Sequence, residues 1–172
     1  MTTIAYSENL GTISCDTLCV HQNVKFFCHS KFYFGDDFLL ASAGCAGERE
    51  FVGNKIDEEM FKNKDKIDLS YILNNKIDFK ALELEGSHLI FCKKMISKEG
   101  IFGHGVRIYA GGSFLRLDQK IKALGSGLEF ATSFMTLKPD APTKEAVEFA
   151  SQFDVYTGGE VKTFDLINWR YI

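Results

Sequence analysis

The chain opens with a block of short strand-like segments and no helix between them, and this constrains its fold more than any other feature. Thr2 to Tyr6 is β-prone, and Ser7-Glu8-Asn9-Leu10-Gly11 carries turn chemistry. Thr12 to Val20 then alternates, with Ile13, Cys15, Thr17 and Cys19 on one face and Thr12, Ser14 and Asp16 beginning the other. Val24 to Cys28 and Lys31 to Phe34 are aromatic-rich, and after the Gly35-Asp36-Asp37 turn Phe38 to Ala41 resumes as a strand. Strands grouped in this way, with helices grouped elsewhere, imply antiparallel sheet covered by helix layers, an α+β architecture.

The remainder keeps that grouping. Glu48 to Asn63 places Phe51, Val52, Ile56, Met60 and Phe61 among charges, the pattern of an amphipathic helix. Lys64 to Gly86 is charged and reads as a second helix followed by a loop. Ser87 to Cys92, Val106 to Tyr109 and Lys120 to Leu124 return as strands. Leu128, Ala131, Phe134 and Met135 stripe a helix that ends near Lys138-Pro139. Pro142 suits the first turn of another helix, striped by Ala146, Phe149, Ala150 and Phe153. Val161 to Ile167 closes the chain as a strand after the Tyr156-Thr157-Gly158-Gly159 turn.

Composition bounds the function classes. The 172 residues suit one domain spanning 1–172, and a 45% hydrophobic share with 16 Phe, 6 Tyr and one Trp excludes a disordered chain. A net charge of -3 with acidic and basic residues interleaved argues against a nucleic-acid partner. No apolar run approaches the ~18 residues of a membrane span, and the N-terminus has no signal-peptide core. Five cysteines, an odd count, and no Asn-x-Ser/Thr site give no sign of secretion, so a soluble cytoplasmic protein is expected.

Four features can carry chemistry. Thr2 directly follows Met1, and removal of the initiator Met is favoured before small residues. A free N-terminal threonine combines a hydroxyl nucleophile with an α-amine base of pKa ~7.7–8.0. Many chains begin Met-Thr, so this feature alone decides nothing. Gly125-Ser126-Gly127 lies at a strand-to-helix junction, where N–H groups and a hydroxyl serve against negative charge; the plainer alternative is a tight turn with a Ser cap. Asp16 is either a solvent-facing strand residue or a functional carboxylate. Cys15-x3-Cys19-x-His21 with Cys28-His29 invites a zinc reading, but the second pair is adjacent and points to opposite strand faces, so reduced thiols are the default. There is no P-loop, dinucleotide fingerprint or Gly-x-Ser-x-Gly elbow.

In this order the features resemble the proteasome β-subunit and HslV-type peptidases of the N-terminal nucleophile (Ntn) hydrolase superfamily, especially short bacterial and phage-borne members. Met1-Thr2-Thr3-Ile4-Ala5-Tyr6 is similar to their start, and Ile13-Ser14-Cys15-Asp16 to the strand that ends in their active-site aspartate. Leu39 to Glu48 resembles the strand-to-helix turn whose glycine supplies an oxyanion N–H, which maps to Gly44. Ala123-Leu124-Gly125-Ser126-Gly127 is similar to their Gly-Ser-Gly turn. Asp154-Val155-Tyr156-Thr157-Gly158-Gly159 is close to Asp-x-Tyr-Ser-Gly-Gly, with Thr157 in place of the serine. The family's lysine is followed by an apolar residue, and Lys31-Phe32 fits best; His29 lies two residues earlier at the same strand parity.

The resemblance implies a four-layer αββα sandwich and a threonine endopeptidase. Thr2 would be the nucleophile, Lys31 and Asp16 its charged pair, Gly44 the oxyanion donor, and Ser126, Asp154 and Thr157 the groups that fix the amine and its water. It calls for no cofactor and no metal. It also implies a peptide or unfolded-protein substrate, a homo-oligomeric ring, and an ATPase unfoldase as a partner class. The alternatives are a non-catalytic shell or binding subunit of the same fold and a non-peptidase Ntn amidase.

Overall fold

The computed structural model describes residues 2–21, 24–35, 37–44, 46–62, 73, 77, 88–97, 100–110 and 113–172. Met1, Cys45 and the helix-and-loop reading of 64–86, apart from Leu73 and Ile77, lie outside them. One five-stranded antiparallel sheet contains β1 (Thr3–Ser7), β2 (Thr12–Asp16), β10 (Ile121–Gly125), β11 (Val161–Asp165) and β12 (Arg170–Tyr171), in the order β10-β1-β2-β11-β12. A second contains β5 (Phe32–Phe34), β6 (Phe38–Ala43), β7 (His88–Ser97), β8 (Gly100–Ala110) and β9 (Ser113–Arg116), ordered as in sequence. A separate hairpin pairs β3 (Leu18–His21) with β4 (Val24–Phe27).

Strand parity explains the layers. Successive side chains leave a strand on opposite faces. In β1, Ile4 and Tyr6 face Leu39, Ala41 and Ala43 of β6 across a core that also holds Ile13, Cys15, Ile90 and Cys92. The alternate residues face outward: Ala5 and Ala123 meet Ala131 and Met135 of α2 (Leu128–Leu137) and Ala146, Val147 and Ala150 of α3 (Thr143–Ala150). On the other side Phe38, Leu40, Leu89 and Phe91 meet Val52 and Ile56 of α1 (Ala46–Lys62). Both faces of each sheet are therefore covered, which is the expected αββα sandwich. A fully buried Ile or Leu adds roughly 1.5–3 kcal/mol over an exposed one. Among the described residues no helix is long and apolar enough to cross a membrane.

The structure corrects several local readings. The stretch from Thr12 to Val20 breaks at Thr17, because Leu18 N–H donates to the Gly158 carbonyl (2.9 Å) and Thr17 accepts from Cys28 N–H (2.9 Å). The chain leaves the first sheet there and starts the hairpin. Thr12, Ser14 and Asp16 do not form a solvent face. Ser14 Oγ bonds the hydroxyls of Thr143 (2.7 Å) and Thr163 (2.8 Å), and Thr12 Oγ1 bonds Thr143 (3.0 Å), so α3 covers this polar face. Of the α1 stripe only Val52 and Ile56 are fully buried, while Phe51 and Phe61 are exposed. Phe153 of the third helix stripe is also exposed and lies beyond α3. β8 is far longer than Val106 to Tyr109 because Gly103 and Gly105 interrupt its apolar pattern.

Candidate active site

One end of the sandwich gathers the residues singled out in the sequence. β1 runs antiparallel to both β2 and β10, so its start lies beside the end of each. Thr2, Asp16 and Ser126 are thereby brought together from three distant parts of the chain. β5 and β6 pair antiparallel, and Ser42 N–H donates to the Lys31 carbonyl (3.3 Å), which sets Lys31 beside the end of β6. Gly44 follows that end.

Two glycines permit this convergence. Gly125 has φ +94°, and a Cβ there would sit 1.8 Å from the Thr2 carbonyl oxygen and 3.1 Å from Ala43 Cβ. No side chain fits in that space. The ends of β1, β6 and β10 therefore close on one another. Gly44 has φ +141°, a conformation that side-chain-bearing residues rarely adopt. It lets the chain turn where β6 ends.

At the centre is a buried ion pair. Asp16 is 0% exposed and Lys31 is 5% exposed, with Lys31 Nζ 3.1 Å from Asp16 Oδ1. The same oxygen accepts Thr3 N–H (2.9 Å), and Oδ2 accepts Gly158 N–H (3.1 Å). Lys31 Nζ also donates to the Leu18 carbonyl. A buried pair is maintained only when its remaining donors and acceptors are met, and here both partners have additional ones. Arg49, in the first turn of α1, donates from Nη1 to the Ser30 carbonyl (2.9 Å), and Phe32 N–H donates to Ser30 Oγ (3.0 Å). Those contacts hold the turn that presents Lys31.

A second carboxylate lies on the other flank. Asp154 Oδ2 accepts the hydroxyls of Ser126 (2.6 Å) and Thr157 (2.6 Å), and Oδ1 accepts Tyr156 N–H (3.1 Å). Ser126 N–H donates to the Thr2 carbonyl (2.9 Å). Thr2 itself is 1% exposed, and its Oγ1 is buried with no hydrogen-bond partner among the described residues. An unmet buried hydroxyl costs about 1–3 kcal/mol, and such groups in a folded protein call for an explanation.

His29 is placed elsewhere. It is exposed and lines an open cavity of about 380 Å³ with Phe27, Glu160 and Lys162, while Lys31 takes the place beside Asp16. Among the described residues no three metal-ligating side chains converge. Cys15 lies in the inter-sheet core, where burial pushes its thiol up to about 12. Burial and the neighbouring Cys19 thiol raise Cys28 to about 11. Neither is poised as a thiolate nucleophile.

Thr3, Arg49 and Gly158 were not singled out in the sequence. The doubled threonine was the available signal for Thr3, but only the fold shows that its N–H meets Asp16. Gly158 lay inside a motif read as a turn.

The αββα sandwich, whose first strand Thr2 enters between two carboxylates, is a fold also seen in a solved structure. Among solved structures the chain is similar to eukaryotic HslV from Trypanosoma brucei, with a TM-score of 0.66 and 17% sequence identity over 95% of this chain and 99% of that one. No family model matches the chain, and no curated protein matches it in sequence.

Proposed function

We propose that the chain is a single-domain, proteasome-like threonine endopeptidase whose mature form begins at Thr2. The observation that carries this reading is the unpartnered, buried Thr2 hydroxyl, one residue before the Thr3 N–H that meets the Asp16–Lys31 pair. In the proposed mechanism Thr2 Oγ attacks a peptide carbonyl, and the Thr2 α-amine takes the hydroxyl proton directly or through one water. The positive Lys31 disfavours a second positive charge on the amine and keeps it basic at neutral pH. Asp16 holds Lys31 in place. Gly44 N–H stabilises the oxyanion, a contribution worth roughly 3–4 kcal/mol for such donors. The leaving amine takes the proton, and water then hydrolyses the ester on Thr2, with Ser126, Asp154 and Thr157 orienting amine and water.

The experiment is an intact-mass measurement on purified protein that hydrolyses a fluorogenic peptide amide. The expected mass lacks Met1, because an acylated Thr2 nitrogen cannot accept a proton. Turnover by protein that retains Met1 would overturn the threonine mechanism.

Assembly is part of the same reading. Rings that enclose the sites and admit only unfolded chains, with an ATPase unfoldase to supply them, are what the resemblance implies. Exposed apolar side chains support it: Phe26 and Phe27 on the β3–β4 hairpin, and Leu137, Phe153 and Val155 around the helices, with Leu137 83% exposed. Light scattering at working concentration is expected to give the mass of a multi-subunit ring. A monodisperse monomer would contradict it.

A further inference from the structure

The Thr2–Thr3 peptide unit has both ends fixed. A trans peptide points its C=O and N–H in opposite directions, and no cis bond is present among the described residues. The C=O accepts from Ser126 N–H (2.9 Å), and the N–H donates to Asp16 Oδ1 (2.9 Å). Ser126 and Asp16 therefore lie on opposite sides of that peptide. The Thr3 hydroxyl adds a third anchor: it accepts Gly127 N–H (3.1 Å) and lies 2.5 Å from Thr157 Oγ1.

Donor counting sets the direction of that short bond. Each hydroxyl has one proton. Thr157 spends its proton on Asp154 Oδ2, which as a carboxylate oxygen only accepts. The proton between Thr3 and Thr157 must then come from Thr3. The result is a directed chain from Gly127 N–H to Thr3, to Thr157, to Asp154, and Asp154 also receives Ser126 Oγ–H. Ser126 returns to Thr2, and the circuit closes.

We propose that Thr3 is a positioning residue that holds the two carboxylate sets in register around the nucleophile, Asp16 through its N–H and the Thr157–Asp154–Ser126 set through its hydroxyl. This rests on the reading of Thr2 as the nucleophile. Thr3 touches no substrate. It acts by fixing where the negative charge near the Thr2 amine resides and how much of it hydroxyl donors already satisfy.

The test compares Thr3→Val, which keeps the shape and loses the hydroxyl, with Thr3→Ser, which keeps the hydroxyl. In the valine variant Thr157 still donates to Asp154, but it loses the Thr3 hydroxyl that polarised it and becomes the weaker donor. The less satisfied carboxylate then favours the ammonium form of Thr2 more strongly. Thr3→Val is expected to lower kcat about 10- to 100-fold with KM within about twofold, about threefold of it from the more basic amine and the rest from lost register of the two carboxylate sets. The acid limb of its pH–rate profile is expected to move alkaline by about half a unit. Thr3→Ser is expected within about threefold of wild type. In parallel, NMR titration of the Thr2 α-amine on chains starting at Thr2 reads the same alkaline shift without needing turnover. An alkaline amine in Thr3→Val, restored in Thr3→Ser, supports the positioning role even if no peptide is cleaved, and in that case only the peptidase reading fails. An unmoved amine in Thr3→Val, or an equal shift in Thr3→Ser, overturns the role of Thr3 whether or not peptide is cleaved. Where wild type does cleave peptide, that result leaves the peptidase reading intact.

Discussion

Lys31→Ala is expected to lower peptide hydrolysis by about 10³-fold or more and to move the acid limb of its pH–rate profile alkaline, whereas His29→Ala changes little. The direction follows from charge. A cation near the Thr2 amine disfavours the ammonium form, so removing it raises the amine's pKa and leaves less free base at neutral pH. Folding is affected too, because the pair is buried. Asp16 is 0% exposed, and breaking a buried pair by removing one partner typically costs about 3–5 kcal/mol. Asp16 keeps the N–H groups of Thr3 and Gly158, which reduces that cost. Lys31→Arg, which retains the charge with a different shape, separates stability from chemistry: it should fold better than Lys31→Ala and remain strongly impaired. Loss of turnover in His29→Ala with full turnover in Lys31→Ala would require the site to be redrawn around His29 and its cavity.

Much of the architecture was legible from strand grouping, because short β-prone runs such as Thr2–Tyr6 and Phe38–Ala41 do become strands that line the inter-sheet core. Patterning failed where a second layer covers a polar face. Ser14 and Asp16 look like solvent-facing residues, yet α3 lies over this face and Thr143 meets Ser14 through hydroxyls. It also failed for aromatic residues that the fold leaves outside, such as Phe27, 69% exposed, and Phe61, 76% exposed. The short strands β9 and β12 carry too few residues for a period to show. The candidate site was legible only through motif order. No local pattern connects Thr3 with Thr157, 154 residues apart, or gives Lys31 rather than His29 the position at Asp16. Those contacts arise from the register of β1 with β2 and β10 and from the turn pinned by Arg49.

Thr2→Ala is expected to abolish hydrolysis to the limit of detection, a loss of about 10⁴-fold or more, because the variant removes the atom that forms the covalent intermediate. Thr2→Ser keeps an Oγ and an α-amine and should retain measurable turnover. Stability should change little or rise in Thr2→Ala, since the hydroxyl it deletes is buried without a partner. The most direct measurement treats the mature wild-type protein with an electrophilic peptide that acylates hydroxyl nucleophiles, then locates the adduct by intact mass and fragmentation. The account predicts one adduct per chain, on a chain lacking Met1, mapped to Thr2 and absent from Thr2→Ala. An adduct on Ser126 or a cysteine, or undiminished labelling of Thr2→Ala, would contradict it.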